Sequence, residues 1–229
     1  MKKLSIRTTT AEITLGWIYY AIQLLVLPEV IILCLLLLGL SSNYFVLNFI
    51  YFCVNFVAFG LIFHQFLWKS LKKAWSAKKK CLKYAGLGFL VYWVLNIVVF
   101  GLIIKIYPQY INLNNESVGS MAQNHFGAMA VATVLLVPMA EELVFRGLIF
   151  QAVFNRSRFL AYAISASAFS VIHLIGYLGS MGLTHIVLSF IQYLPAGIAL
   201  GWVYQKTDTI CTPILMHMLV NLFGIFAVR

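Results

Sequence analysis

The residues of this chain that are best suited to chemistry are three charged side chains inside an apolar stretch: Glu141, Glu142 and Arg146. The surrounding run is apolar from about residue 126 to residue 154, which is long enough to cross a lipid bilayer. A charged group at that depth costs about 3 kcal/mol unless it is paired or faces water. Charges retained there therefore indicate a functional site.

The spacing of these three residues predicts different roles for the two acids. Residues four apart share one face of an α-helix, so we expect Glu142 and Arg146 to form an ion pair. Glu141 points about 100° away and has no partner on its own helix. An unpaired carboxylate in an apolar medium takes up a proton readily, which suits a general base. The alternative is that all three residues form a structural clamp between helices.

Two further apolar runs carry polar side chains. His173 ends the sequence Phe-Ser-Val-Ile-His in the middle of one run, and His217 and Asn221 lie four residues apart in the last run. A single membrane histidine is often only a hydrogen-bonding group between helices. If the runs cross the bilayer, however, Glu141, His173, His217 and Asn221 come to similar depths, which predicts one polar site that holds water.

The elements that must position these residues are transmembrane helices. Hydrophobic residues make up 62% of the 229 residues and charged residues only 10%, whereas a soluble domain carries about 25% charged residues. We therefore expect an all-α, polytopic transmembrane helix bundle of about seven spans (six to eight). The apolar runs lie at residues 13–40, 44–68, 84–106, 126–154, 159–179, 183–205 and 210–228.

The net charge of +10 fits a membrane surface better than nucleic acid, because seven of the sixteen basic residues lie between Lys69 and Lys83, beside an apolar run. We expect this stretch to be a juxtamembrane loop that meets the lipid bilayer. Basic and uncharged connections alternate along the chain, with Lys105 and Arg229 as exceptions, which predicts a cytoplasmic amino terminus. The basic connections are at residues 2–7, 69–83, 156–158 and 206; the others are at 41–43, 108–125 and 179–182.

We expect a single integral membrane domain, 1–229, in which residues 1–110 form the less specific amino-terminal helices. The four cysteines have no metal-ligand spacing and are interpreted as unpaired thiols. No signal-peptide cleavage site is apparent, so the first run is expected to stay in the membrane. Pro28 is expected to kink that run and Pro138 the fourth. Gly197 and Gly201 form a small-residue face for close helix packing.

The three polar stretches, taken in order, resemble a known family. Glu-Glu-x-x-x-Arg at 141–146, Phe-x-x-x-His at 169–173 and His-x-x-x-Asn at 217–221 are similar to the motifs of the CPBP intramembrane proteases, also called the Abi or CAAX protease family. The resemblance covers residues 125–225, which are expected to form the catalytic core. Each motif alone is weak, but three in order at helical spacing form a strong pattern.

This resemblance implies a role for each residue. Glu141 would activate water, and His173 would help to hold that water. His217 and Asn221 would stabilise the oxyanion. Glu142 and Arg146 would organise the site. A second mechanism stays open, in which Glu141, His173 and His217 bind a divalent metal such as zinc and leave one position for water. The residue types favour the mechanism without a cofactor. The metal mechanism would make the protein a metalloprotease.

The resemblance implies an intramembrane endopeptidase that cleaves a peptide or protein substrate at a bacterial cell membrane, with no nucleic-acid partner. Two alternatives from other classes remain. One is a non-enzymatic immunity or sensor-binding protein of bacteriocin or peptide systems, which some members of the family suggest. The other is a small transporter, which the lack of an inverted repeat disfavours.

Overall fold

A computed structural model describes residues 3–40 and 43–227, and within them the chain is almost entirely helical. Lys2, the Ser41–Ser42 connection and Arg229, which entered the charge pattern above, lie outside the described residues. The α-helices are α1 (Thr10–Leu25), α2 (Leu27–Leu37), α3 (Tyr44–Ile62), α4 (His64–Ser76), α5 (Lys78–Ile106), α6 (Leu113–Val131), α7 (Val137–Glu142), α8 (Gln151–Phe154), α9 (Arg158–Ile172), α10 (Leu183–Thr207) and α11 (Cys211–Ala227).

The predicted all-α fold is confirmed, and each apolar run of the sequence corresponds to a helical segment. Four segments are long and apolar enough to cross a membrane: α3, α5, the unit Leu113–Phe154 and α10. The pair α1–α2 adds a fifth if its 58° bend lies within one span. Helices α9 and α11 are apolar but have only 15 and 17 residues. The described residues therefore contain four or five helices of spanning length, and the orientation of the chain remains a prediction.

The kink expected at Pro28 is present as the bend between α1 and α2, which meet at Val26. Proline has no N–H to donate to the preceding turn, and its ring collides with the carbonyl four residues earlier. Helix α1 is fixed at its other end by Glu12, which is buried and completes a capping box with Thr9. Glu12 Oε1 also accepts a hydrogen bond of 2.8 Å from the backbone N–H of Phe66, so one carboxylate joins the starts of α1 and α4.

Two connections that we expected to be loops are helical. The basic stretch from Lys69 to Lys83 forms most of α4 and the start of α5. The segment 108–125 is already helical from Leu113, where Asn112 accepts a hydrogen bond from the N–H of Asn115. Both predictions were wrong because a search for apolar runs does not detect a polar or amphipathic helix.

The long unit Leu113–Phe154 places the acidic pair between two π-helical segments. Ala132–Leu136 precedes α7 and Leu143–Phe150 follows it, and Pro138 lies in the first turn of α7 without breaking the unit. All eight residues of Leu143–Phe150 are buried, and most of them belong to the largest hydrophobic core. This π-helical segment is the centre around which α1, α8, α9 and α10 pack.

The sequence placed His173 in the middle of a span, and this prediction was wrong. Helix α9 ends at Ile172, His173 is its C-cap, and a 3₁₀ helix follows at Ile175–Ser180. Gly176 and Gly179, which have low helix propensity, lie in the segment where the α-helical geometry is lost. His173 therefore lies at a helix end, where its backbone is less constrained by the helix than a mid-helix position would be.

The small-residue face predicted on α10 packs tightly against its neighbours, and at Gly197 that neighbour is α9. A Cβ at Gly197 would lie 2.7 Å from Ala166 Cα, and one at Gly201 would lie 3.2 Å from Phe150. The contact at Gly197 involves backbone atoms, which cannot swing aside as a side chain can. Gly197 therefore sets the spacing between α10, which carries the Gly197 carbonyl, and α9, which ends at His173.

We expect Gly197→Ala to destabilise the protein by about 1–3 kcal/mol, because overpacking would force α9 and α10 apart. Unfolding of the purified protein in detergent measures the change. Gly101→Ala is the matched control, since a Cβ there meets nothing within 4 Å. Equal stability of the two variants would contradict the packing argument.

Candidate active site

The ion pair expected between Glu142 and Arg146 is present and fully buried. Arg146 Nη1 donates to Glu142 Oε1 at 2.9 Å, and neither side chain is exposed to solvent. The second arm of the guanidinium, Nη2, donates to the Gly197 carbonyl at 3.0 Å. The guanidinium carbon lies 5.0 Å from the centre of the Phe169 ring. Arg146 thus joins the π-helical segment to both α10 and α9.

His217 contacts both acids from α11. Its Nδ1 lies 3.0 Å from Glu142 Oε1, and its Nε2 lies 3.8 Å from Glu141 Oε2. An ionised carboxylate can only accept, so Nδ1 carries the proton in the bond to Glu142. This bond fixes the plane of the imidazole and directs Nε2 toward Glu141.

Glu141 differs from its neighbour because it accepts no hydrogen bond from the described residues, whereas Glu142 Oε1 accepts two. The Oε2 atoms of both acids are buried without a hydrogen-bond partner. The side chain as a whole keeps 21% exposure and lines a cavity of about 90 Å³. A cavity of this size has room for several water molecules. Glu141 thus lies between the imidazole of His217 and a cavity with space for water, and neither His217 nor His173 lines that cavity.

His173 does not line this cavity, and it is held by a hydrogen bond at its edge and by ring stacking. Its Nδ1 donates to the Phe169 carbonyl at 2.8 Å, which leaves Nε2 as an acceptor in the neutral ring. The ring stacks on Tyr193 with centroids 4.2 Å apart.

Two residues that sequence reasoning missed keep His173 in place. Tyr193, on α10, provides the stacking surface, and its hydroxyl donates to Asn112 Oδ1 at 3.0 Å. The same oxygen of Asn112 caps α6 by accepting the N–H of Asn115 at 3.0 Å. The start of α6 is therefore joined to the histidine through a single tyrosine. Neither residue belongs to a motif, so no local pattern indicated them.

Asn221 lies one turn beyond His217 on α11 and makes a different contact from the one we expected. Its Nδ2 donates to the backbone carbonyl of Thr133, in the first π-helical segment, at 2.8 Å. One N–H of the amide is thereby used in joining α11 to the unit that carries the acids. The second N–H of the same amide is available to a ligand.

The amino-terminal helices supply the opposite wall of the cavity, which the sequence analysis did not anticipate. Four polar residues of α1 and α3 line it together with Glu141: Tyr20, Gln23, Tyr51 and Asn55. Gln23 and Asn55 are buried, and the charge of Glu141 acts on both tyrosines. The detectable signal was an isolated amide inside an otherwise apolar run, at Gln23 and again at Asn55.

The residues as they lie do not form a metal centre. Among residues 3–40 and 43–227, no three or more His, Cys, Asp or Glu side chains converge closely enough to hold a metal ion. Each histidine uses Nδ1 for an acceptor in the protein and keeps Nε2 free, as metal-ligating histidines also do, so the fit depends on how closely the side chains converge. The set Glu141, His173 and His217 does not fit a tetrahedral zinc site in this geometry.

Comparison with known proteins agrees with the carboxyl-terminal site. Residues 123–223 match the family model "Type II CAAX prenyl endopeptidase Rce1-like". The chain is 27% identical over 149 residues to UPF0177 protein YxdF of Lactococcus lactis, which covers 61% of this chain and 77% of YxdF. It is 29% identical over 151 residues to the membrane-embedded CAAX protease MroQ of Staphylococcus aureus, covering 64% of this chain and 58% of MroQ. No solved structure matches the chain.

The matched region contains all three polar motifs and every charged side chain of the site. Over this carboxyl-terminal region the chain is similar to a family of membrane proteases, and it is a multi-pass membrane protein. The α1–α3 wall of the cavity lies outside the matched region.

We expect Arg146→Met to destabilise the protein by about 3–5 kcal/mol, because it leaves the Glu142 carboxylate buried without its cation. The double variant Glu142→Gln, Arg146→Met removes both charges and should recover most of that loss. Thermal unfolding in detergent compares the two. If the double variant is as unstable as the single one, the two charges do not act as a pair.

Proposed function

We propose that the protein is an intramembrane endopeptidase in which Glu141 activates the water that hydrolyses a peptide bond. The observation that carries the proposal is that Glu141, unlike Glu142, accepts no hydrogen bond from the described residues and lines a cavity, while its Oε2 lies 3.8 Å from His217 Nε2. A carboxylate with a free oxygen beside a cavity with room for water meets the geometric requirement for a general base.

In this mechanism, Glu141 accepts a proton from water while the water oxygen attacks the carbonyl carbon of the scissile bond. The same proton then passes to the amide nitrogen as the carbon–nitrogen bond breaks, which returns Glu141 to its ionised form. The acceptor nitrogen of His173 orients the attacking water. No step requires a serine or cysteine nucleophile.

The negative charge on the former carbonyl oxygen needs hydrogen-bond donors. His217 supplies Nε2–H when its ring is doubly protonated, with Nδ1–H bonded to Glu142. The second N–H of Asn221 is the other donor. Because Arg146 neutralises Glu142, the acid can hold the imidazole without adding a net charge to the site.

We expect Glu141→Gln to lower the rate of substrate processing by at least about 10²-fold, because glutamine keeps the shape and cannot accept the proton. Comparative peptidomics of cells that carry the wild type or the variant measures the accumulation of uncleaved substrate. Glu29→Gln, the same change at an exposed residue of α2, is the matched control. Normal processing by Glu141→Gln would contradict the assignment and favour a function by contact.

We also propose that no metal takes part in this reaction, since Glu141, His173 and His217 do not converge closely enough among the described residues to hold one. Activity of the purified protein should survive prolonged treatment with a strong chelator. Metal analysis of the same sample by mass spectrometry should find less than one zinc per chain. Loss of activity that only added zinc restores would support the metal mechanism instead.

A further inference from the structure

Gln23 is a buried polar side chain for which the fold offers no partner. The residue retains only 8% exposure on α1, and its carboxamide forms no hydrogen bond with any residue that the structure describes. Burying an amide without hydrogen bonds costs roughly 1–3 kcal/mol in proteins. Because Gln23 lines the same cavity as Glu141, its carboxamide can form hydrogen bonds with water or with a ligand in the cavity.

The backbone around Gln23 is held in place even though its side chain is free. The Tyr51 hydroxyl lies 3.4 Å from the Gln23 carbonyl and donates to it. Asn55 Nδ2 donates to the Tyr51 carbonyl at 2.9 Å, and Tyr19 donates to Asn55 Oδ1 at 3.1 Å. These bonds join α1 to α3 and use the polar groups of Asn55 internally. Gln23 is thus presented to the cavity from a fixed position.

The remaining walls of the cavity are mostly apolar. Phe52 and Phe59 of α3 face Val144 and Phe145 of the π-helical segment across it. An apolar cavity with one free carboxamide and one free carboxylate resembles a binding site in which few polar groups fix the orientation of the ligand. Its volume of about 90 Å³ makes it a subsite for part of a ligand.

We propose that the Gln23 carboxamide binds the main chain of the substrate peptide next to the bond that Glu141 attacks. A carboxamide carries one acceptor and two donors, so it matches the C=O and N–H of a peptide group. This assignment rests on the proposed function and makes Gln23 a substrate-positioning residue contributed by the amino-terminal half. Main-chain binding also permits different side chains at the same position.

The test measures peptide binding separately from cleavage. The probe is a pool of fluorescein-labelled apolar octapeptides, and the protein is the full chain in lipid nanodiscs, with Glu141→Gln present to prevent turnover. We expect Gln23→Met to raise the dissociation constant about tenfold, as loss of one or two hydrogen bonds would. Gln65→Met, the same change at an exposed residue of α4, should leave it unchanged.

Methylation of the peptide main chain identifies the group that Gln23 binds. Methylating one main-chain N–H of the peptide should weaken its binding to the protein that keeps Gln23 about tenfold. The same methylation should not weaken binding to Gln23→Met any further. Methionine removes no hydrogen bond within the described protein, so the melting temperature should not fall. A purely structural role would instead lower the melting temperature and leave binding unchanged.

Equal affinity of the peptides for the Gln23 and Gln23→Met forms, or no binding to either, would overturn the proposal. A separate cleavage assay, which compares the wild type with Glu141→Gln, tests the proposed function. If binding depends on Gln23 while Glu141→Gln still cleaves normally, the binding site stands and the catalytic role of Glu141 is wrong.

Discussion

The structure depends on keeping Glu142 and Arg146 charged where no water reaches them. Neither side chain is exposed, so each must find its partners within the protein. Glu142 Oε1 accepts from Arg146 and from His217, and Arg146 also donates to Gly197. One buried pair thereby fixes α10 and α11 relative to the π-helical segment. The hydrogen bond from Arg146 to the Gly197 carbonyl requires α10 to approach closely at Gly197. A larger residue there would move the carbonyl away from the guanidinium.

The same arrangement explains why Glu141, unlike Glu142, accepts no hydrogen bond from the described residues. Helical geometry turns neighbouring side chains about 100° apart, so Glu141 cannot share the partners of Glu142. It faces a cavity whose other wall comes from α1 and α3. π-Helical segments border α7 on both sides, and such segments are frequent at functional sites. The fold thus separates a neutralised pair, which positions His217, from a carboxylate that is free to react.

Sequence reasoning was most successful where helical spacing alone decides a contact. It predicted the Glu142–Arg146 pair, the bend near Pro28 and the close packing at Gly197. It failed where a helix is polar, as in α4, or where a helix ends early, as α9 does before His173. It also missed Tyr193 and Gln23, because their roles depend on which helices become neighbours, and spacing within one helix carries no information on that.

The central claim is that Glu141 must be ionised to take a proton from water. The most direct measurement is the pH dependence of single-turnover cleavage by the purified wild type and by Glu141→Gln. The account predicts that the wild-type rate falls as the pH is lowered, and that the residual rate of the variant lacks this acid limb. The same acid limb in both proteins would contradict the account.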